Sequence, residues 1–446
     1  MMADEYPTCE AGVARVKITP DLPCSLAGYF HERQAVRVRD DIYANVMALK
    51  TADTCIVLVS CDLIAMTDEV ADPAREAIRA RFGVPPDNVL VCATHTHTAP
   101  EIRNYTVAAN PGYPEKLTQW IIEGVETALT HTFEATVHAG SAEARGFSFN
   151  RLYRLKSGME AFGRSAGGDK VIGYAGPVDP SVQTLAVFDT SKRLRGVAVN
   201  FACHPDIVGG GKADFVSADW PGEVAGNMAA LYGDDVVALV LQGTAGDINQ
   251  SDYLPHYMPN GGELKTRQMG RAVCGAAILA IEGSEPIAPL TLGAACEEVE
   301  VPYYTRTPEF MAHIEALKAK GDAATYFEKN QIKKAEAWPN DGKTCSFRIQ
   351  AFRVGDVGIV GMPGEIFTAF GLETKRYSPF GHTLFAELAS CENGLAGYKC
   401  TNDQAQRGAY GAMPTLSRRH HHDAGRLMTE SAIRSLHKLW DGEESG

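Results

Sequence analysis

The chain has 446 residues, 45% of them hydrophobic, 22% charged and 8% aromatic. That composition excludes disorder and fibrous repeats as its main state. The formal net charge of -13 argues against nucleic acid or an anionic membrane surface as a partner. No apolar run approaches the ~20 residues of a membrane helix, and the polar start, Met1 to Glu10, does not read as a secretory signal. The expectation is a cytoplasmic protein without stable membrane insertion. Eleven cysteines at irregular spacings, with no CxxC, read as reduced, mostly buried thiols.

In chain order, GVARVKITP (12–20) alternates and then meets proline, a short strand. CIVLVSCD (55–62) is a continuous apolar run of strand length. Residues 67–83 form a helix with acids early and arginines late, and NVLVCAT (88–94) is a second buried strand. Strand, helix and strand make a crossover, which implies parallel neighbours. A helix at 114–130 carries Trp120, Ile121, Ile122 and Val125 on its apolar side, and a strand follows at 135–143. The glycine-rich stretch 158–176 reads as a loop over a site. Strands at 183–188 and 196–203 flank a turn at Ser191–Lys192. A helix at 220–231, a strand at 235–242 and a helix at 262–283 come next. Residues 305–341 turn charged and helical, like an insertion covering the surface. A hairpin at 344–360 turns near Gly355–Asp356, a strand lies at 384–389, and a helix closes the chain at 424–440. His420, His421 and His422 read as the solvated start of that last helix. The sum is one mixed α/β (α+β) domain over 1–446, with large mixed β-sheets flanked by helices.

One pattern recurs. Apolar strands run into a polar residue and then glycine or proline: NVLVCAT into His95-Thr96-His97, GVAVNFAC into His204-Pro205, VVALVLQ into Gly243 to Asp247, GIVGMP into Gly364-Glu365, and LFAELAS towards Tyr398. Ligands in α/β sheets collect outside the carboxyl ends of strands. On an extended backbone His95 and His97 face the same way and can grip a metal. Taken singly, the His pair also reads as structural, His204 as a satisfied core histidine, and Glu365 as an acid in the first turn of a helix. Asp62 lines the same site or caps a turn. Converging, His95, His204 and Glu365 would give zinc three ligands and an open position for water.

These strand ends, in this order, resemble the catalytic domain of the neutral/alkaline (non-lysosomal) ceramidase family. The resemblance rests on AGVARVKITP, LAGY, DDIYANVMAL, THTHTAP, FNR, VDPSV, NFACHP, VSADWPGE, QGTAGDIN, MPGE and YKCTNDQAQRGAYGA, which span about residues 11–425. It implies a single zinc held by His95, His204, Glu365 and Tyr398. It also implies that His97, Arg151 and a second tyrosine, Tyr410, line the site. The family's GDxSPN serine is replaced here by Asn249, at most a hydrogen-bonding group, which excludes a serine acyl-enzyme at that position. The expectation is a catalytic domain with no β-sandwich domain after the closing helix. The implied function is zinc-dependent hydrolysis of an amide bond in a small N-acyl substrate by activated water. The alternatives are a zinc esterase, lactonase or carbohydrate-processing hydrolase, or a homologue that binds without turnover. The sequence gives no oligomeric state.

Overall fold

The computed structural model describes residues 6–105, 107–163, 171–253 and 261–442. Strands β1 (Cys9–Lys17), β2 (Tyr43–Lys50) and β3 (Cys55–Cys61) lead into helix α1 (Asp68–Phe82) and strand β4 (Val89–Ala93). Then come α2 (Tyr113–Thr130), β5 (Phe133–Glu143), β6 (Ser181–Asp189), β7 (Leu194–Phe201), α3 (Asp219–Tyr232), β8 (Val237–Gln242), α4 (Glu263–Glu282) and β9 (Glu285–Pro286). These nine strands form one sheet in the order β8-β7-β6-β5-β1-β2-β3-β4, with β9 beside β5. β3 pairs with β4 and β7 with β8 in parallel, as the crossover reading expects for the first pair.

The chain continues through β10 (Leu292–Pro302), α5 (Pro308–Lys318), α6 (Tyr326–Glu336), β11 (Thr344–Val354) and β12 (Val357–Met362). It ends with β13 (Glu365–Ile366), α7 (Thr368–Tyr377), β14 (His382–Glu387), β15 (Tyr398–Lys399) and α8 (Ala424–Asp441). A second sheet has the order β10-β11-β12-β14, with β12 and β14 parallel, and β13 pairs with β15.

The two sheets stack between helices. The unbroken apolar run of β3 shows why. Its alternate residues Ile56 and Leu58 join Met47, Leu90, Phe352, Ile359 and Leu384 between the sheets. Val57 and Val59 face the other way, against Ile78, Leu117 and Ile121 of α1 and α2. A strand covered on both faces has no solvent side to make polar. Helices α3 and α4 cover the rest of that outer face through Trp220, Val224, Met269 and Val273. Phe370 of α7 and Met428 and Leu436 of α8 cover the second sheet. All eleven cysteines are free, and no helix of the described residues is long and apolar enough to cross a membrane.

Two expectations need correction. Part of the stretch read as a loop at 158–176 is a small sheet, in which Leu152–Leu155 pairs with Glu160–Phe162 and Val171–Tyr174. Gly158, at φ 85°, makes the tight turn, and its glycine-rich composition hid the pairing; residues 164–170 lie outside the described residues. His420 is not solvated: it is buried and stacks on Tyr303 at 4.9 Å, while only His421 and His422 are exposed ahead of α8.

Two glycines set how closely helices approach the first sheet. A Cβ at Gly12 would lie 1.7 Å from the Ala128 carbonyl oxygen of α2, and one at Gly140 would lie 2.0 Å from that of Ala280 of α4. Backbone cannot yield as a side chain does. Gly140→Ala is therefore expected to lower stability by roughly 1–3 kcal/mol, read as a drop in the denaturant midpoint. An unchanged midpoint would refute the contact.

Candidate metal centre

Beyond β4 the chain turns sharply. His95 has φ 73°, in the left-handed region, so the two histidines do not sit on an extended strand as the spacing suggested. Backbone and hydroxyl bonds fix the turn instead. The His95 N–H donates to Leu63 O at 2.8 Å and the His97 N–H to Pro205 O at 3.1 Å. The Thr96 hydroxyl donates to Ser217 O at 2.8 Å. A strained conformation of this kind persists only where its surroundings over-determine it. The His95 and His97 rings still meet, edge to face, with centroids 4.8 Å apart. His204 arrives from the end of β7, its ring 4.6 Å from that of His95. Glu365 does not open a helix as read. It lies in β13, opposite Tyr398 of β15, and α7 begins only at Thr368. Gly364, at φ 102°, makes this possible, because a Cβ there would stand 2.7 Å from Gly397 O.

The hydrogen bonds assign the tautomers. His95 Nδ1 is 2.6 Å from Ile64 O, and His204 Nδ1 is 2.8 Å from Ala245 O. A carbonyl only accepts, so both Nδ1 atoms carry protons, which leaves Nε2 as the ligating nitrogen of each ring. Those two Nε2 atoms are 3.2 Å apart. Glu365 Oε2 lies 3.4 Å from the first and 3.2 Å from the second. It is buried without a hydrogen-bond donor among the described residues. A second proton on either ring would make an imidazolium, and burial followed by the nearby Arg151 holds His204 neutral down to about 3. Burial works against charge on Glu365 as well, but the neighbouring His95 and His204 outweigh it and hold its carboxyl well below the usual range. Two imidazole nitrogens and a carboxylate oxygen thus face one another at close range, an arrangement that suits a cation. Ligands at ~2.0–2.1 Å from a tetrahedral ion stand ~3.3–3.4 Å from each other, which matches the three separations found. The residues present therefore fit a divalent metal.

His97 completes a group of three histidines whose ligand nitrogens lie within 4.8 Å of one another. Both of its ring nitrogens are buried without a hydrogen-bond partner among the described residues. Burial, then His95 and His204, hold its pKa well below the ordinary histidine value, so the ring is neutral. Arg151 is buried and donates to Gly246 O at 2.6 Å and to the Tyr398 hydroxyl at 3.0 Å. The Tyr398 and Tyr410 rings lie 5.7 Å apart. Burial, then Glu365, raises the Tyr398 phenol far above its usual value; burial does the same for Tyr410. Both keep their protons at neutral pH. Asn249 is occupied in a turn, its side-chain oxygen accepting the Ser251 N–H at 3.0 Å. Asp62 is drawn to a different place. It accepts the Tyr43 N–H at 2.9 Å and lines a cavity of about 350 Å³ with Arg15, Asp40 and Asn45.

Three neighbours escaped the sequence reading. Phe162 lies 4.9 Å from the Tyr410 ring, and Phe327 of α6 lies 6.4 Å from it. Glu387, fully buried at the end of β14, accepts the Ile366 N–H at 2.7 Å and so fixes the residue after Glu365. Its signal was present: one carboxylate inside the apolar run LFAELAS.

Burial, then Asp40, raises the Asp62 pKa from 3.8 to about 7. Between those values the folded chain holds a proton that the unfolded chain has lost. This group's contribution to stability therefore falls as pH rises from about 4 to about 7. Asp62→Asn, which keeps an acceptor for Tyr43, is expected to flatten the decline in denaturant midpoint between about pH 5 and pH 8. A decline identical in both proteins would refute the assignment.

Comparison with known proteins agrees with the strand-end motifs. A curated neutral ceramidase of Mycobacterium tuberculosis (strain ATCC 25618 / H37Rv) is 24% identical over 288 residues, covering 59% of this chain and 44% of that protein. The match thus spans less than half the length of this relative. The crystal structure of neutral ceramidase from Pseudomonas aeruginosa superposes with a TM-score of 0.78 at 18% identity, covering 99% of this chain and 76% of that one. A structure described as ceramidase complexed with C2 gives 0.76 at 17% identity, covering 99% and 77%. No protein-family model matches.

Proposed function

The chain is neutral-ceramidase-like in sequence and fold, and from that premise we propose that it is a metal-dependent hydrolase cleaving the amide bond of a small N-acyl substrate. The observation that carries the reading is the convergence of His95 Nε2, His204 Nε2 and Glu365 Oε2 within 3.4 Å of one another. Zinc suits two neutral imidazoles and a carboxylate, and Tyr398, paired with Glu365 across β13 and β15, is the fourth ligand. Zinc in such a site acts as a Lewis acid and lowers the pKa of water towards ~7. The described residues act as one catalytic unit with α5 and α6 as an insertion. The free thiols suit the cytoplasm.

The side chains divide the remaining work. As water adds to the amide carbon, charge builds on the carbonyl oxygen. Tyr410 keeps its proton and donates it as a hydrogen bond to that oxygen. The Arg151 guanidinium holds the Tyr398 hydroxyl and adds positive potential beside it. Each such donor is worth roughly 2.7–4 kcal/mol in the transition state. Neutral His97 has one N–H and one lone pair, both unpartnered. It takes a proton from the attacking water and passes it to the departing nitrogen. Asn249 keeps the turn before Ser251 and does not act as a nucleophile.

His204→Ala is expected to remove bound metal, measured by elemental analysis, and with it turnover of chromogenic amides, while the circular dichroism spectrum persists. Retention of both metal and rate would end the metal assignment. Tyr410→Phe is expected to keep the metal and lower kcat by about 10²–10³; an unchanged kcat would remove Tyr410 from the mechanism. Parallel panels of amides, esters and lactones identify the bond cleaved, and a metal-loaded protein inert to all of them would refute hydrolysis.

A further inference from the structure

Beside the metal centre, two cations lack counter-charges. Lys334 of α6 stands with Nζ 4.2 Å over the Tyr105 ring. Arg419 lies over Trp338 at 5.9 Å, and its Nη1 is buried without a hydrogen-bond partner among the described residues. Among the described residues neither has a carboxylate within ion-pair distance. Their neighbours do: Lys318 holds Glu315 at 2.7 Å, Lys320 holds Glu328 at 2.6 Å, and Arg306 holds Asp341 at 2.7 Å. Arg103, under the same Tyr105 ring, is matched by Glu101, which takes its Nε at 2.7 Å and its Nη2 at 2.9 Å. Lys399 adds a buried ammonium below Arg419, held by the Ala396 and Gly397 carbonyls. In a chain of net charge -13, a wall of unmatched cations is an electrostatic feature with a use.

Its position points to the substrate. Phe327 and Lys334 are seven residues apart on α6, on one face and roughly 10 Å apart along the helix. Phe327 reaches the Tyr410 ring. Tyr105, below Lys334, senses both the Arg419 guanidinium and the Glu365 carboxylate. Lys334 and Arg419 also repel each other: burial and then Arg419 lower the Lys334 pKa. A bound anion would relieve that repulsion and give Arg419 Nη1 its missing acceptor.

We propose that Lys334 and Arg419, above Tyr105 and Trp338, form a subsite for an anionic group of the substrate, a carboxylate, phosphate or sulfate carried several bonds from the scissile amide. This deepens the hydrolase reading and rests on it for the word substrate. The subsite itself is a binding claim. It makes the substrate an acidic N-acyl compound rather than an uncharged one.

Two measurements separate the claims. The first compares N-succinyl and N-(methyl succinyl) p-nitroanilides, a carboxylate and its neutral ester, on the metal-loaded protein. The expected result is a lower KM for the carboxylate, with the preference falling at least about tenfold in Lys334→Met and in Arg419→Met and recovering in part in Arg419→Lys. The second titrates the whole protein calorimetrically with succinate, inorganic phosphate and inorganic sulfate. The wild type is expected to bind at least one of them, which identifies the group, and Lys334→Glu is expected to abolish that binding while the protein stays folded. If neither anilide is cleaved but anion binding is lost in the variants, the subsite stands and the hydrolase reading falls. If the wild type binds no anion, or the variants bind as well as it does, or the carboxylate preference survives them, the subsite is overturned.

Discussion

The site depends on two backbone carbonyls. Ile64 O and Ala245 O accept the Nδ1 protons of His95 and His204, and so aim both Nε2 lone pairs inward. The sheets explain how each carbonyl comes to stand beside its ring. His95 follows β4 and Ile64 follows β3, its parallel neighbour. His204 follows β7 and Ala245 follows β8, again a parallel neighbour. Glu365 follows β12, and the carboxylate that anchors its backbone, Glu387, closes β14, the parallel neighbour of β12. Each longer parallel pair in the two sheets thus delivers one candidate ligand and that residue's support from the same end. Antiparallel neighbours would place the support at the opposite end of the strand.

Such support is needed because the centre is buried. His95, His204 and Arg151 are each less than a tenth exposed. Orphaned acceptors in that setting are unfavourable unless a cation is supplied. The fold tolerates them because the surrounding contacts are hard to give up. His95 is held at positive φ by three separate backbone and hydroxyl bonds around its turn, and Gly28 leaves room where a Cβ would come within 2.6 Å of His97 Nδ1. The geometry is therefore fixed in advance of any ligand, which is the preorganisation that metal sites require.

Much of this was legible in the sequence, and the reason is burial. Strands covered on both faces have no choice but to be continuously apolar, so CIVLVSC and VLVCA declared themselves. Their polar ends stood out against that background, and the resemblance carried Arg151, Tyr398 and Tyr410 to the same place. What stayed hidden had local causes. The left-handed turn at His95 leaves no mark in residue type, because it is imposed by Leu63, Ser217 and Pro205 from elsewhere in the chain. Glu365 looked like a helix start because proline and glycine precede helices and β-bridges alike. Asp62 sits at a strand end as the site residues do, yet it accepts from the Tyr43 N–H and the Thr94 hydroxyl and lines another cavity. His420 is buried by Tyr303, a contact over more than a hundred residues that no local pattern announces.

The division of labour between strand ends and added segments bears on specificity. The reaction centre is built from elements that the two sheets hold rigid, and the fold it shares with neutral ceramidases runs through 99% of the chain. A shared fold does not fix a shared substrate. On the proposed reading, the parts that would face a substrate beyond the metal come from other segments: Phe162 from the small sheet, and Phe327 and Lys334 from α6. α6 is tied down at its start by a capping box at Thr325 and by the Tyr326 hydroxyl on Phe30 O. Phe327 also packs on Phe30, 5.9 Å away. A helix fixed at its first turn, beside Tyr410, could on the proposed reading set which acyl group enters without altering the atoms that cleave it. Changes in α6 should therefore move substrate preference, and changes at the strand ends should move metal and rate.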